Sequence, residues 1–202
     1  MERHCGVLTP MVLDGRAVRL VPLVLDLVPD LVAAATEDRA TYGYTNVPPD
    51  EAAMTAYVEA ALAAPDQYAF ATCSAADGRV VGSTRFGSLD WWPSSSRDDP
   101  DVAEIGWTWL AGSAQRTAVN TEAKLLMLTH AFEVWHVARL QLKTDALNAR
   151  SRAAIERIGA RFEGVLRRHT PAFGRPGPRD SAMYSIVPDE WPEVKSRLMA
   201  RL

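Results

Sequence analysis

Two short polar segments of the sequence contain residues that could bind an anionic ligand. Each lies between a stretch of alternating apolar residues and a stretch with apolar residues at helical spacing: residues 115–120 (QRTAVN) and residues 145–151 (DALNARS). The start of a helix has unpaired backbone N–H groups and partial positive charge, so it binds phosphate groups well. In the first segment, Ala118 is small enough to let a phosphate approach the backbone, and Arg116 could add positive charge. Asn120 could cap the helix that follows.

In the second segment, Asn148 and Ser151 are the residues whose side chains could do chemistry. Asn148 has the residue type of a helix N-cap, whose side-chain oxygen accepts a hydrogen bond from an early helical N–H. Ser151 follows one turn later, where its hydroxyl could face the same cleft. Either junction alone is explained by an ordinary helix start that binds nothing. If the two preceding strands are neighbours, the two junctions could instead form the walls of one groove.

The composition indicates one globular domain with a sizeable core. The chain has 202 residues, 48% of them hydrophobic and 23% charged, and a net charge of −3. We expect a single domain over residues 1–202, with its core over about 13–190, and no nucleic-acid partner, which would favour a basic protein. The sequence shows neither a signal peptide nor a run of about 20 apolar residues, so we expect a cytoplasmic protein without a membrane partner. Cys5 and Cys73 have no CxxC or Cys/His pattern, so we expect reduced thiols and no metal site.

Hydrophobic periodicity and turn residues predict the order β-α-α-β-β-β-α-β-α-β-β, followed by a helix. The predicted strands are 17–23, 68–74, 80–89, 102–110, 138–144, 162–168 and 181–187, and the predicted helices are 26–39, 50–63, 121–135, 149–158 and a short one after Pro188. This order is typical of an α+β domain with a mixed sheet. Glu122 would lie in the first turn of its helix, where a carboxylate interacts favourably with the helix dipole.

Five motifs, in their order and spacing, are similar to those of the GNAT superfamily of N-acetyltransferases. The resemblance is closest to the branch of the RimJ and RimL ribosomal-protein N-terminal acetyltransferases, and it runs from about Leu13 to the C-terminus. The motifs that carry it are residues 104–107 (EIGW), 115–123 (QRTAVNTEA), Asn148-x-x-Ser151, 159–164 (GARFEG) and 179–186 (RDSAMYSI).

The resemblance implies a GNAT fold and acetyl-CoA as cosubstrate. The fold has a central mixed, mostly antiparallel sheet of six or seven strands, helices on both faces, and two splayed parallel strands, here 102–110 and 138–144. The family's pyrophosphate loop reads Gln/Arg-x-x-Gly-x-Gly/Ala, and this chain departs from it at Ala118 and Asn120. The residues implied to contact the cosubstrate are Trp109, Leu110, Ala111, Gln115, Arg116, Thr117, Ala118, Val119, Asn120, Thr121, Asn148 and Ser151.

The resemblance also implies direct attack of a primary amine on acetyl-CoA through a tetrahedral intermediate. An aliphatic amine is mostly protonated at neutral pH, so a base is needed. Glu104 is the candidate base, because its strand leads to the thioester site; the alternative is a structural carboxylate bonded across the sheet. Ser151 is the candidate acid for the thiolate, since no tyrosine occurs between Asn148 and Gly164.

The acceptor is left open by the sequence. A protein N-terminus and a small-molecule amine are both compatible, and Trp91 and Trp92 beside Arg85 could line its cleft. For Trp107 and Trp109, which alternate with polar residues, we expect core packing. Dimers are common among relatives, so a homodimer is compatible with the resemblance. The alternative function is a catalytically weak acyl-CoA-binding sensor or interaction protein with the same fold.

Overall fold

The computed structural model describes residues 11–202, so the expectations for Cys5 and for the first ten residues lie outside the described residues. Within them, the strands are β1 (Leu13–Asp14), β2 (Val18–Pro22), β3 (Tyr68–Ser74), β4 (Val80–Asp90), β5 (Val102–Leu110), β6 (Arg139–Asp145), β7 (Arg161–Pro171) and β8 (Pro178–Ile186). The helices are α1 (Val28–Thr36), α2 (Glu51–Ala63), α3 (Ala118–Thr129), α4 (Ala149–Arg157) and α5 (Trp191–Met199). A π-helical turn over His130–Val134 extends α3.

The described strands form one sheet in the order β1-β2-β3-β4-β5-β6-β8-β7. Neighbouring strands are antiparallel except β5 and β6, which are parallel. The predicted fold class is therefore confirmed. The sheet has eight strands rather than six or seven because β1 adds a strand of two residues, too short to show an alternating pattern.

Helices cover both faces of the sheet. Thr84 and Arg85 are consecutive residues of β4, so their side chains point to opposite faces. Thr84 accepts a hydrogen bond from Lys124 of α3, whereas Arg85 lies against Tyr57 of α2. The side chains between these layers form the core, which includes the fully buried Phe70, Phe86, Leu140 and Tyr184.

The parallel pair β5–β6 separates partway along its length. Only three residue pairs are in register: Val102 with Arg139, Ala103 with Leu140, and Glu104 with Gln141. Beyond them β5 continues to Leu110 and β6 to Asp145 without pairing to each other. We call the space between these segments the gap, with its closed end at Glu104 and its open end at Leu110 and Asp145.

Several local predictions are confirmed by the structure. Asp50 caps α2, its Oδ1 accepting the N–H of Ala53 at 2.9 Å. Gly78 of the β3–β4 turn has a φ of +74°, and Gly159, two residues after the end of α4, has a φ of +98°. Cys73 is a buried free thiol.

None of the helices in residues 11–202 is both long and apolar enough to span a bilayer.

Candidate cofactor groove and active site

The first wall of the groove is the junction between β5 and α3. Thr117, not Asn120, is the N-cap of α3: its Oγ1 accepts the N–H of Val119 at 3.3 Å and donates to the carbonyl of Ala114 at 2.7 Å. The helix thus begins at Ala118, three residues before the predicted start, and Asn120 lies inside its first turn. Arg116 takes a left-handed φ of +61°, which turns the chain into the helix. Arg116, Thr117 and Ala118 are all exposed at this helix start.

At the open end of the gap, the side chains of this junction bind the protein itself. The carbonyl of Leu110 accepts two hydrogen bonds, from Tyr42 Oη at 3.0 Å and from Gln115 Nε2 at 2.9 Å. A carbonyl oxygen has two lone pairs, so this one is saturated. Trp109 is buried and meets Tyr42 edge-on, as expected for core packing. Any contact of Leu110 with the cosubstrate must therefore use a group other than its carbonyl oxygen.

The second wall is the junction between β6 and α4. Asn148 is the N-cap, as predicted: its Oδ1 accepts the N–H of Ser151 at 3.0 Å. Asp145 fixes the preceding turn, since one carboxylate oxygen accepts the N–H of Leu147 and the other pairs with Arg175 at 2.7 Å. Within the described part of the chain, no residue accepts a hydrogen bond from Asn148 Nδ2 or binds Ser151 Oγ. These two groups are available to a ligand.

Arg150 connects the two walls, which the sequence reasoning missed. From α4 its guanidinium donates to the carbonyl of Thr41 at 2.6 Å and to Gln115 Oε1 at 3.4 Å. Gln115 in turn donates to Thr41 Oγ1 at 3.0 Å. The contact therefore crosses the open end of the gap and includes the loop after α1.

Glu104 lies at the closed end of the gap and is 2% exposed. Its Oε2 accepts hydrogen bonds from Ser88 Oγ at 3.1 Å and from Lys143 Nζ of β6 at 2.8 Å. Glu104 thus makes the cross-sheet hydrogen bonds of the alternative role, that of a structural carboxylate. Glu104 and Ser151 are not in contact, because Ser151 follows the far end of β6, and Asp145 lies four residue steps beyond Gln141, roughly 13 Å along the strand.

Trp107 was expected in the core, but its side chain is 37% exposed. Its φ of +50° coincides with a shift in the register between β4 and β5, so the alternation that suggested burial does not hold at this residue. The ring packs where Gly87 has no side chain; a Cβ at Gly87 would lie 2.4 Å from it. Arg85 Cζ is 5.7 Å and Lys143 Nζ is 6.0 Å from the ring centroid.

The aromatic side chains beside Arg85 are therefore Trp107 and Tyr57 rather than Trp91 and Trp92. The guanidinium lies 4.2 Å from the Tyr57 ring centroid. Trp91 instead donates its indole N–H to the carbonyl of Asp98 at 2.9 Å. Tyr57 is separated from Arg85 by 28 residues in the sequence, so no local signal could have indicated this contact.

Two buried charges hold α3 in place. Glu122 accepts hydrogen bonds from the backbone N–H groups of Arg16, Ala17 and Val18 at 2.9, 2.6 and 3.0 Å. The expected helix-dipole role was wrong, because α3 starts earlier and Glu122 lies in its second turn. Lys124 donates to Thr108 Oγ1 at 2.7 Å and to Thr84 Oγ1 at 3.1 Å, and burial lowers its pKa to about 7.

The groove fits the cosubstrate that the sequence implies. It has an opening between two strands, an exposed helix start beside Arg116, and a free amide donor on Asn148. A diphosphate suits the helix start, and a chain of amides and methylenes suits the edge of a separated strand. Across residues 11–202, no three His, Cys, Asp or Glu side chains are grouped so as to hold a metal ion.

The chain matches a family model described as an acetyltransferase (GNAT) domain over residues 17–161. No curated protein sequence matches it. Among solved structures, a GCN5-related N-acetyltransferase from Brucella melitensis is 31% identical, with a TM-score of 0.82; the match covers 95% of this chain and 85% of that one.

Two further structures share the fold at lower identity. RimJ of Mycobacterium smegmatis, in complex with a CoA-disulfide, is 22% identical with a TM-score of 0.79, covering 95% of each chain. RimL, a ribosomal L7/L12 α-N-protein acetyltransferase in complex with coenzyme A, is 17% identical with a TM-score of 0.71, covering 89% of this chain and 99% of that one. With the separated parallel strands and the family match over residues 17–161, this chain belongs to the GNAT family of acetyltransferases.

Proposed function

We propose that this protein is an acetyl-CoA-dependent N-acetyltransferase that acetylates a primary amine, on a protein N-terminus or a small molecule. The observation that carries the proposal is the separation of β5 from β6 beyond Glu104 and Gln141. Two helix starts flank the open end of this gap, and a buried carboxylate lies at its closed end. The family match supports acetyl transfer from acetyl-CoA.

In this proposal the two walls bind different parts of the cosubstrate. The backbone N–H groups of residues 117–121, with Arg116 beside them, bind the diphosphate. Asn148 Nδ2 donates to the arm that carries the thiol, and backbone groups of Trp109, Leu110 and Ala111 line the same arm. Gln115 contributes indirectly, since its side chain holds Leu110 and Thr41.

Acetyl-CoA supplies the acyl group activated as a thioester. The acceptor arrives as an ammonium, and Glu104 takes the proton that frees the nitrogen lone pair, directly or through water. The freed amine attacks the thioester carbon, which forms the C–N bond and a tetrahedral intermediate, and the C–S bond breaks as this intermediate collapses. Ser151 Oγ donates its proton to the leaving sulfur, and the second proton of the nitrogen passes through water to Ser151 Oγ and restores the hydroxyl. This step requires the sulfur to lie towards the open end of the gap.

The second candidate function is an acyl-CoA-binding protein without turnover. It is supported by the state of the candidate base, since Glu104 is buried and already bound by Ser88 and Lys143. Thiol release measured over a panel of amines and peptides, with CoA binding measured by calorimetry in parallel, separates the two. Binding without thiol release for any acceptor would favour this candidate.

Glu104→Gln provides the sharper test of the enzyme. Removing the base is expected to lower kcat about 100-fold, to leave the Kd for CoA within about threefold, and to flatten the rising limb of the pH–rate profile. Glu163→Gln is a matched control, because Glu163 has the same kinds of partner as Glu104. It accepts a hydrogen bond from Ser185 Oγ and pairs with Arg139, a basic residue of β6. It should keep the parent kcat; an unchanged kcat in Glu104→Gln would place the base elsewhere.

A further inference from the structure

Arg85 is a buried cation without a negatively charged partner. It is 4% exposed, and no ion pair among residues 11–202 includes it. Its guanidinium donates to Gln67 Oε1 at 2.9 Å and to the carbonyl of Tyr57 at 3.5 Å, while Nε finds no acceptor in the described part of the chain. The rings of Tyr57 and Trp107 stabilise the charge but do not neutralise it. A buried charge left in this way is costly, which favours an anion beside it.

Lys143 places a second cation at the same ring. Arg85 Cζ and Lys143 Nζ both lie over the Trp107 ring, 5.7 and 6.0 Å from its centroid. Within residues 11–202, Glu104 is the one carboxylate bound to this group, and Lys143 already pairs with it at 2.8 Å. The group formed by Arg85, Trp107, Lys143 and Glu104, which we call the Trp107 cluster, therefore carries one more positive than negative charge.

Tyr57, which packs against Arg85, adds a second unpartnered donor beside the Trp107 cluster. Its Oη is buried and, like Arg85 Nε, has no hydrogen-bond partner among the described residues. The ring of Trp107 is fixed by its left-handed backbone and by the missing side chain of Gly87, and it is partly exposed. The cluster is therefore a built site with free donors and positive charge, at the end of the gap where Glu104 lies.

We propose that the amine acceptor carries a carboxylate close to its reactive nitrogen, and that Arg85 and Lys143 select for it. This inference rests on the proposed function and names its substrate class. An ammonium alone would meet two cations and a carboxylate that is already paired, whereas an amine with its own carboxylate supplies the missing negative charge. A free amino acid and the N-terminus of a peptide with an acidic second residue both have this chemistry.

The acceptor carboxylate also affects the proton transfer. Bound to Lys143, it competes with Glu104 for the same ammonium group. Weaker pairing with Lys143 leaves Glu104 freer to take the proton of the acceptor nitrogen. Recognition of the acceptor and activation of its amine are thus coupled through one lysine.

Matched acceptors test this with the full-length protein and acetyl-CoA. Glycine is compared with glycinamide, and the dipeptide amide Ala-Asp-NH2 with Ala-Asn-NH2, by the kcat/KM of thiol release. The carboxylate member of at least one pair is expected to be favoured about tenfold, mainly through KM, as for a charge-assisted hydrogen bond. The first pair reports a free amino acid as substrate, and the second an acidic N-terminus.

Variants then locate the selectivity. In Arg85→Met and in Lys143→Met the preference should fall to about threefold or less, with an unchanged Kd for CoA. Arg139→Met is the matched control, since Arg139 is a basic residue of β6 that pairs with Glu163, and it should keep the parent ratio. If Arg85→Met does not fold, as judged by circular dichroism, Lys143→Met still gives the answer.

Each outcome decides between the two proposals. Amides used as well as the acids by the parent protein, or a ratio that survives both variants, would overturn the carboxylate proposal and leave the acetyltransferase proposal standing. If no acceptor releases thiol, the acetyltransferase proposal fails. The carboxylate proposal is then tested by calorimetry of the same acceptors in the presence of CoA, and equal binding of acid and amide would overturn it.

Discussion

The two junctions that flank the gap are built in opposite ways. At the β5–α3 junction the side chains of Gln115 and Thr117 bind the protein itself, and what is exposed is the start of a helix. At the β6–α4 junction, Asn148 Nδ2 and Ser151 Oγ remain free within residues 11–202. In the proposed cosubstrate complex, the first junction therefore binds through backbone, which tolerates Ala118 in place of the family's glycine. The second junction, in the same proposal, depends on the identity of its side chains.

The two helices are also anchored differently. Buried charges fix α3: Glu122 to the backbone after β1, and Lys124 to the hydroxyls of β4 and β5. A helix that would bind a ligand through backbone N–H groups must be held rigidly, because the positions of those groups depend only on the position of the backbone. In α4, Glu156 is an exposed carboxylate that accepts a hydrogen bond from Tyr184.

The largest expected effect concerns Lys124, whose pKa burial lowers from 10.5 to about 7. Between these values the unfolded chain carries a proton that the folded protein lacks. The free energy of unfolding should therefore rise with pH, at up to about 1.4 kcal/mol per pH unit, and this stability is lost as the pH falls towards 7. Urea unfolding at pH 7, 8, 9 and 10 measures it, and the total rise should lie between about 3 and 4 kcal/mol.

Lys124→Met removes this titration while keeping a long apolar side chain. Its unfolding free energy should exceed that of the parent at pH 7, and the difference should shrink towards pH 9 or change sign. Because other groups titrate equally in both proteins, the difference isolates Lys124. A difference independent of pH would mean that the lysine is not desolvated.

Glu122→Gln should have the next largest effect. Three backbone N–H groups lose a charged acceptor, so the free energy of unfolding should fall by about 3 kcal/mol. Glu156→Gln is the matched substitution on α4 and should cost less than about 1 kcal/mol, because Glu156 is exposed. Equal losses in the two variants would remove the distinction between the anchoring of α3 and α4.

The smallest effects come from the two helix caps. Thr117→Ala and Asn148→Ala should each lower the free energy of unfolding by about 1 kcal/mol. Only Asn148→Ala should also weaken CoA binding, about tenfold, because its side-chain amide is the donor that we propose for the cosubstrate arm. Calorimetry with CoA makes the comparison, and equal losses of affinity would show that both junctions bind through side chains.

Features set by nearby residues could be predicted from the sequence. The caps Asp50 and Asn148, the turn at Gly78 and the helix end at Gly159 all depend on residues within a few positions. Asn120 was misplaced for a local reason, since Thr117 is also a good cap and lies closer to the end of β5.

Features set by distant contacts could not be predicted. Glu122 binds residues more than 100 positions away, and Lys124 binds hydroxyls on two other strands. The spacing of apolar residues in a helix indicates which side chains face the core, but it does not indicate which partners a buried Glu122 or Lys124 will bind. The exposure of Trp107 follows from a backbone irregularity that alternating residue types do not encode.

Arg150 has a consequence for the kinetics of cosubstrate entry. Its hydrogen bonds to Thr41 and Gln115 span the mouth of the gap. We expect this bridge to open before CoA enters the gap, so the association of CoA should be slower than free diffusion allows and its rate should saturate with CoA concentration. Arg150→Ala should abolish that saturation in stopped-flow measurements with CoA. In that variant, Gln115 would be the remaining side-chain link between the groove and Thr41 in the loop after α1.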